Sequence, residues 1–296
     1  MEQILAYFQQ YQSVVFLSLV YFAATAYVGL FLILRRASLY GLVLSQVAQV
    51  SFLLGLALAA LFGDHEHVFA MINRAGAKPG GDWHFLEIDG FVLPITLLLM
   101  APFVISAIRG VRNKETLLVL GLLFFLAAYP LINKAFGGTD VILAKAYFTE
   151  ILYTPSAMFM HYLPFLVVLL LVFVLFQRRI YLSGFDPVQA RLTGISPVIY
   201  DSIFYFIAGM VLSIAVRILG AYISMAALVV PGYAALLLFR RMVHVTCATI
   251  LLGVFLPLTG FVLAFWLDNW PTEPLITIYM VLVGGALIFL RLLIRR

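Results

Sequence analysis

Runs of Leu, Val, Ile, Phe and Ala fill most of this chain, at about 13–34, 38–62, 91–108, 115–132, 161–177, 198–216, 221–239, 244–266 and 272–290. Each is long enough to cross a hydrocarbon core of about 30 Å. Backbone in lipid has no water to bond, so every run must satisfy its own N–H and C=O groups, as a helix does. The alternating ten-residue pattern of a membrane barrel is missing. The sequence therefore predicts an all-α, polytopic transmembrane bundle of about nine helical spans, with residues 1–296 forming one membrane domain. Charged residues are only 10% of the chain, against roughly a quarter in soluble domains. A soluble enzyme is excluded.

Charge gives the bundle a sidedness. With the N-terminus outside, the inner segments hold Arg35, Arg36, Arg109, Arg112, Lys114, Arg178, Arg179, Arg191, Arg240, Arg241, Arg291, Arg295 and Arg296, thirteen of the 18 basic residues. Arg74, Lys78, Lys134, Lys145 and Arg217 fall outside, and of the 13 acids only Glu115, Asp186 and Asp201 fall inside. This bias predicts an N-out, C-in orientation. The net charge of +5 belongs to span ends and does not point to nucleic acid. No basic region or small-residue cleavage site accompanies the first run, so 13–34 reads as a retained span. Cys247, the one cysteine, excludes an intramolecular disulfide and reads as a small buried side chain.

Five connections and interruptions stand out. Residues 63–90 form a hydrophilic outer loop carrying Asp64, His65, Glu66 and His67. These could ligate zinc by residue type, although the spacing matches no defined site and a solvated acidic loop is the plain alternative. Residues 133–160 contain Gly137-Gly138, Pro155, Lys145 and Glu150, consistent with a broken or re-entrant helix. Residues 181–197 form an inner loop. Within it Asp186 can cap a short helix, Pro187 fits the first turn and Gly194 can end it, giving either a docking knob or an amphipathic linker. Finally, Ser45, Gln46, Gln49 and Ser51 interrupt the second apolar run. Gln46 and Gln49 share a helix face, so their amides either line a wet path or bond a neighbouring helix. Pro231 and Gly232 mark a kink or gate in the seventh run.

No nucleotide-binding, metalloprotease, hydrolase or dinucleotide motif is present. Energy for transport must come from a gradient or a separate chain, and intramembrane charges for a gradient-driven carrier are scarce.

Three stretches, in order along the chain, carry a resemblance. RRASLYGLVLSQVAQVSFLLG at 35–55 resembles the second-span signature of the membrane subunits of bacterial ABC importers for zinc, manganese or iron. FDPVQARLTG at 185–194 resembles their cytoplasmic coupling helix, and LGAYISMAALVVPGYAALLLFRR at 219–241 resembles their hydrophobic run ending in Pro-Ala-Ala. The resemblance implies a permease of the bacterial cytoplasmic membrane with no catalysis of its own. It implies pairing with a second copy or a related permease, a cytoplasmic ATP-binding subunit, and an extracytoplasmic substrate-binding protein. Coupling to the ATPase then falls to Phe185, Asp186, Pro187, Ala190, Arg191 and Gly194. No covalent cofactor is implied; the metal ion is cargo.

The likeness has departures. Leu42 stands where the family carries aspartate, and Gln46 where it carries histidine. A carboxylate and an imidazole are replaced by an alkyl chain and a neutral amide, a poor transition-metal ligand. Three readings follow: an importer of a divalent transition metal, the same fold moving a metal chelate or small organic solute, and a channel-like subunit without ATP-driven transport.

Overall fold

The computed structural model describes residues 2–62, 85–109, 114–135, 151, 154, 156–267 and 271–294. All regular elements among them are helical: α1 (Glu2–Leu34), α2 (Ser38–Phe62), α3 (Phe85–Arg109), α4 (Lys114–Ala135), α5 (Ser156–Phe185), α6 (Pro187–Leu192), α7 (Pro197–Leu219), α8 (Ala221–Leu238), α9 (Met242–Trp266) and α10 (Thr272–Ile294). The nine long helices coincide with the nine expected spans. Seven meet a length and hydropathy test for crossing a membrane over their described residues, and α3 and α10 carry shorter apolar segments, Val92–Ser106 and Thr272–Leu287.

The main differences lie at the ends. The outer-loop stretch 63–90 gives its last residues to α3, which starts at Phe85. Helix α5 continues past its apolar stretch through Arg178 and Arg179 to Phe185, because helical hydrogen bonding continues into water after hydrophobicity stops. Asp64, His65, Glu66, His67 and most of 133–160 lie outside the described residues.

Helix α1 is central: it packs along α8 and α9 and touches α5 and α7. Helix α2 packs against α3, α4 and α7, and α10 closes over α8 and α9. The apolar windows of α1, α2 and α7 are 72% buried, whereas those of α4 and α5 are 17% and 22% buried. Most of the surface of these two helices therefore faces the surroundings, which in a bilayer are lipid. Cys247 is exposed on α9, correcting the expectation of a buried thiol. An apolar run in lipid has an outer face as hydrophobic as its inner one, so hydropathy does not reveal which side chains are packed.

Glycine sets the tightest contacts. A Cβ on Gly29 would overlap the Leu228 carbonyl oxygen, and one on Gly232 would sit 2.9 Å from Ile33 Cδ1 and 3.2 Å from Leu30 Cα. Small residues thus let α1 and α8 meet backbone to backbone. An aromatic seam joins α1, α5 and α7. Phe31 and Phe173 meet edge-on at 4.9 Å, Tyr27 and Phe173 at 5.3 Å, and Tyr27 Oη donates to Gln177 Oε1 at 2.6 Å.

Candidate functional site

The polar run of α2 lies inside the helical bundle. Gln46 and Gln49 are 2% and 3% exposed. Ser45 Oγ donates to the Leu42 carbonyl and Ser51 Oγ to the Val47 carbonyl, both at 2.7 Å, so these hydroxyls are satisfied within their own helix. The amides are not. Gln46 Oε1 and both polar side-chain atoms of Gln49 are buried without a protein hydrogen-bond partner. Leaving such a group unmatched costs about 1–3 kcal/mol. Among the described residues no neighbouring helix bonds these atoms, which leaves them able to take water or a ligand.

Space for one is present. A cavity of about 40 Å³ opens beside Gln49 and is lined by its side chain with those of Tyr129, Ser213, Arg217 and the apolar Ala48, Phe52, Val92 and Val216. Water needs roughly 10–15 Å³ of such volume together with polar partners, and both conditions are met. Helices α2, α3, α4 and α7 contribute its walls. Arg217 sits in the last turn of α7, its guanidinium 4.9 Å from the Phe52 ring centre and 5.1 Å from that of Tyr162. The aromatic faces hold the cation in place by their quadrupoles. Among the described residues the lining offers amide, phenol, hydroxyl and guanidinium, and no carboxylate, imidazole or thiolate.

At the far end of α7 the chain builds α6. Asp186 caps it, accepting from the Val188 and Gln189 N–H groups at 3.1 and 2.9 Å, and Pro187 occupies the first turn. Gly194, at φ 76°, turns the chain away while Ile195 N–H donates to the Ala190 carbonyl at 2.8 Å. The cap, the proline and the terminating glycine are as the sequence predicts. Ala190 is fully buried, seating α6 on α5 and α7. Phe185, Asp186, Pro187 and Arg191 are exposed. So are Val188 and, at 84%, Leu192, two apolar residues that the sequence reading passed over.

Pro231 and Gly232 lie within α8, which remains helical through both. Gly232 faces the Leu30 backbone of α1, so its place in the fold is a close approach between helices. A buried carboxylate and a part-buried ion pair were not singled out from sequence as site features. Glu273, 1% exposed, opens α10 with its carboxylate packed against Gly220, where α7 gives way to α8. Arg35 and Asp201 form an ion pair at 2.6 Å near α6. Each sits at the end of an apolar run, where a charge normally signals the interface and not a buried contact. Among the described residues, no group of three or more His, Cys, Asp or Glu side chains could hold a metal.

Among the described residues, nine long apolar helices with a buried polar seam inside and a capped knob at one end make the architecture of a multi-pass membrane protein. The particular family follows from the sequence match: residues 84–291 fit the ABC 3 transport family, and the chain belongs to it. Among curated relatives, a probable iron transport system membrane protein of Haemophilus influenzae is 28% identical over 122 residues, 41% of this chain and 43% of that protein. A manganese transport system membrane protein of Halalkalibacterium halodurans is 33% identical over 91 residues, 31% of each chain. The matches thus span less than half the length of either relative. Among solved structures, PsaBC from Streptococcus pneumoniae in complex with Fab superposes with a TM-score of 0.74 at 17% identity, covering 97% of this chain and 94% of that one. That likeness supports the fold.

Proposed function

We propose that this chain is the translocation subunit of an ATP-driven importer for a divalent transition metal, zinc or manganese first and iron third. The observation that carries it is α6: a capped helix seated by Ala190, with Phe185, Val188, Arg191 and Leu192 presented outward. A rigid knob with a mixed apolar and cationic face suits the groove of a cytoplasmic ATP-binding subunit. The relatives named for iron and manganese transport support the cargo class. In this reading α6 is cytoplasmic, the N-terminus lies outside, and a second copy or a paired permease completes the path. A binding protein delivers cargo at the outer mouth, where Asp64, His65, Glu66 and His67 are candidate ligands. Gln46 and Gln49 are the polar groups of the path, while Ser45 and Ser51 shape its helix. Pro231 and Gly232 are the candidate gate in α8.

The test is ATPase stimulation of the complex reconstituted with its ATP-binding partner, across zinc, manganese and iron with and without chelator. Stimulation by one free ion is expected. A complex that hydrolyses ATP but answers to no free ion would overturn the bare-ion cargo.

A second reading is favoured by the cavity itself. Its guanidinium, amide and hydroxyl groups suit the anionic or carbonyl oxygens of a metal chelate better than a bare cation, which prefers carboxylate, imidazole or thiolate. Stimulation by a metal complexed with a polycarboxylate, and not by the same metal free, distinguishes this cargo.

A further inference from the structure

We propose that Arg35 is a positioning residue that locks α1 to the α5–α6–α7 unit, so that displacement of α6 reaches the α8 segment around Pro231. The inference rests on the importer reading for its functional consequence, but the lock itself is a matter of geometry.

Arg35 follows the last residue of α1, and its side chain is 6% exposed. Nη1 donates to Asp201 Oδ1 of α7 at 2.6 Å, and Nη2 donates to the Ile180 carbonyl of α5. The guanidinium lies 4.3 Å from the Phe204 ring centre. Gly184 also lies against it, where a Cβ would stand 2.6 Å from Arg35 Nε. Ser183 Oγ closes the cluster on Asp201 Oδ1 at 2.6 Å. Ile180, Ser183 and Gly184 immediately precede α6, whereas Asp201 and Phe204 follow it. One planar cation therefore grips both stems of the α6 knob. Lysine offers a single charged point and cannot reproduce two divergent hydrogen bonds plus a ring contact.

The other end of the lever is on the same helix. Gly29 and Leu30 lie five to six residues before Arg35, roughly 8–9 Å along the axis, and they meet Leu228 and Gly232 of α8 backbone to backbone. A helix interior transmits displacement over that distance because its packed neighbours leave it no slack. A buried ion pair can instead serve stability or register alone, so the test must separate the two roles.

Arg35→Gln, Arg35→Lys and Asp201→Asn would be examined in the purified chain and in the complex with the ATP-binding partner in proteoliposomes, using manganese ion as cargo probe. In the chain alone, Arg35→Gln should raise amide hydrogen exchange at both stems, 178–184 and 197–204, by about tenfold. In the complex, partner recovery and ATP hydrolysis should stay within about twofold while cargo taken up per ATP falls about tenfold, the scale of a modest coupling energy. Arg35→Lys should recover part of that ratio. Unchanged exchange in Arg35→Gln, or uptake and hydrolysis falling in the same proportion, would overturn the proposal. Asp201→Asn keeps a hydrogen-bonding group and decides the matter if Arg35→Gln fails to insert. Should the unmodified complex hydrolyse ATP without manganese uptake, manganese fails as the cargo, and the exchange measurement alone then decides the lock.

Discussion

Gly220 and Gly194 both hold a positive φ, 89° and 76°, yet differ in what surrounds them. Around Gly194 a Cβ would meet nothing within 4 Å, whereas at Gly220 it would overlap the buried Glu273 carboxylate. Gly194→Ala should therefore cost only the conformational strain, about 1 kcal/mol. Gly220→Ala adds overpacking of roughly 1–3 kcal/mol. Thermal unfolding followed by size-exclusion chromatography in detergent should show the larger loss for Gly220→Ala. Gln49 makes the opposite case. Its amide is buried and unmatched, so Gln49→Leu should stabilise the chain by up to about 1–3 kcal/mol while lowering uptake. A midpoint that falls would show that water already satisfies the amide well. The polar run was legible in sequence because an apolar span makes four polar residues conspicuous. Its neighbours Tyr129 and Arg217 were not, since a cavity is defined by residues distant in sequence that converge only on folding.

Helix α6 shows how much of an element can be read from local chemistry. Asp186, Pro187 and Gly194 specify its start and stop within ten residues, and the hydrogen bonds follow that prescription. Asp186→Ala should weaken the helix by about 1 kcal/mol and reduce recovery of the ATP-binding partner, with the melting of the bundle unchanged; Asp186→Asn should retain recovery. Equal recovery from the alanine variant would mean that the partner does not need a preformed helix. Burial of Ala190 was not legible from its sequence. It depends on where α5 and α7 bring α6 to rest, and it makes Ala190 a seat for the knob, with Val188 and Leu192 left exposed. The Arg35–Asp201 pair is likewise invisible locally, because 166 residues separate its members.

At the scale of the whole molecule, the nine crossings were legible because a bilayer imposes one length and one polarity on every span. Helix ends were less so, as the polar extension of α5 shows. The orientation proposed from basic residues makes a direct prediction. With Cys247 replaced by serine, Leu192→Cys should react with a membrane-impermeant thiol reagent in inside-out vesicles and stay protected in right-side-out cells. The reverse pattern would invert the bundle. Apart from its lipid-facing sides, the bundle also leaves Val188 and Leu192 of α6 open to water. If the proposed ATP-binding subunit covers them, an orphan chain carries an adhesive tag that only assembly hides. On that proposal, a cell making more of this chain than of the ATP-binding subunit would accumulate protein that sticks to itself or is cleared, so the two are expected to be produced in step.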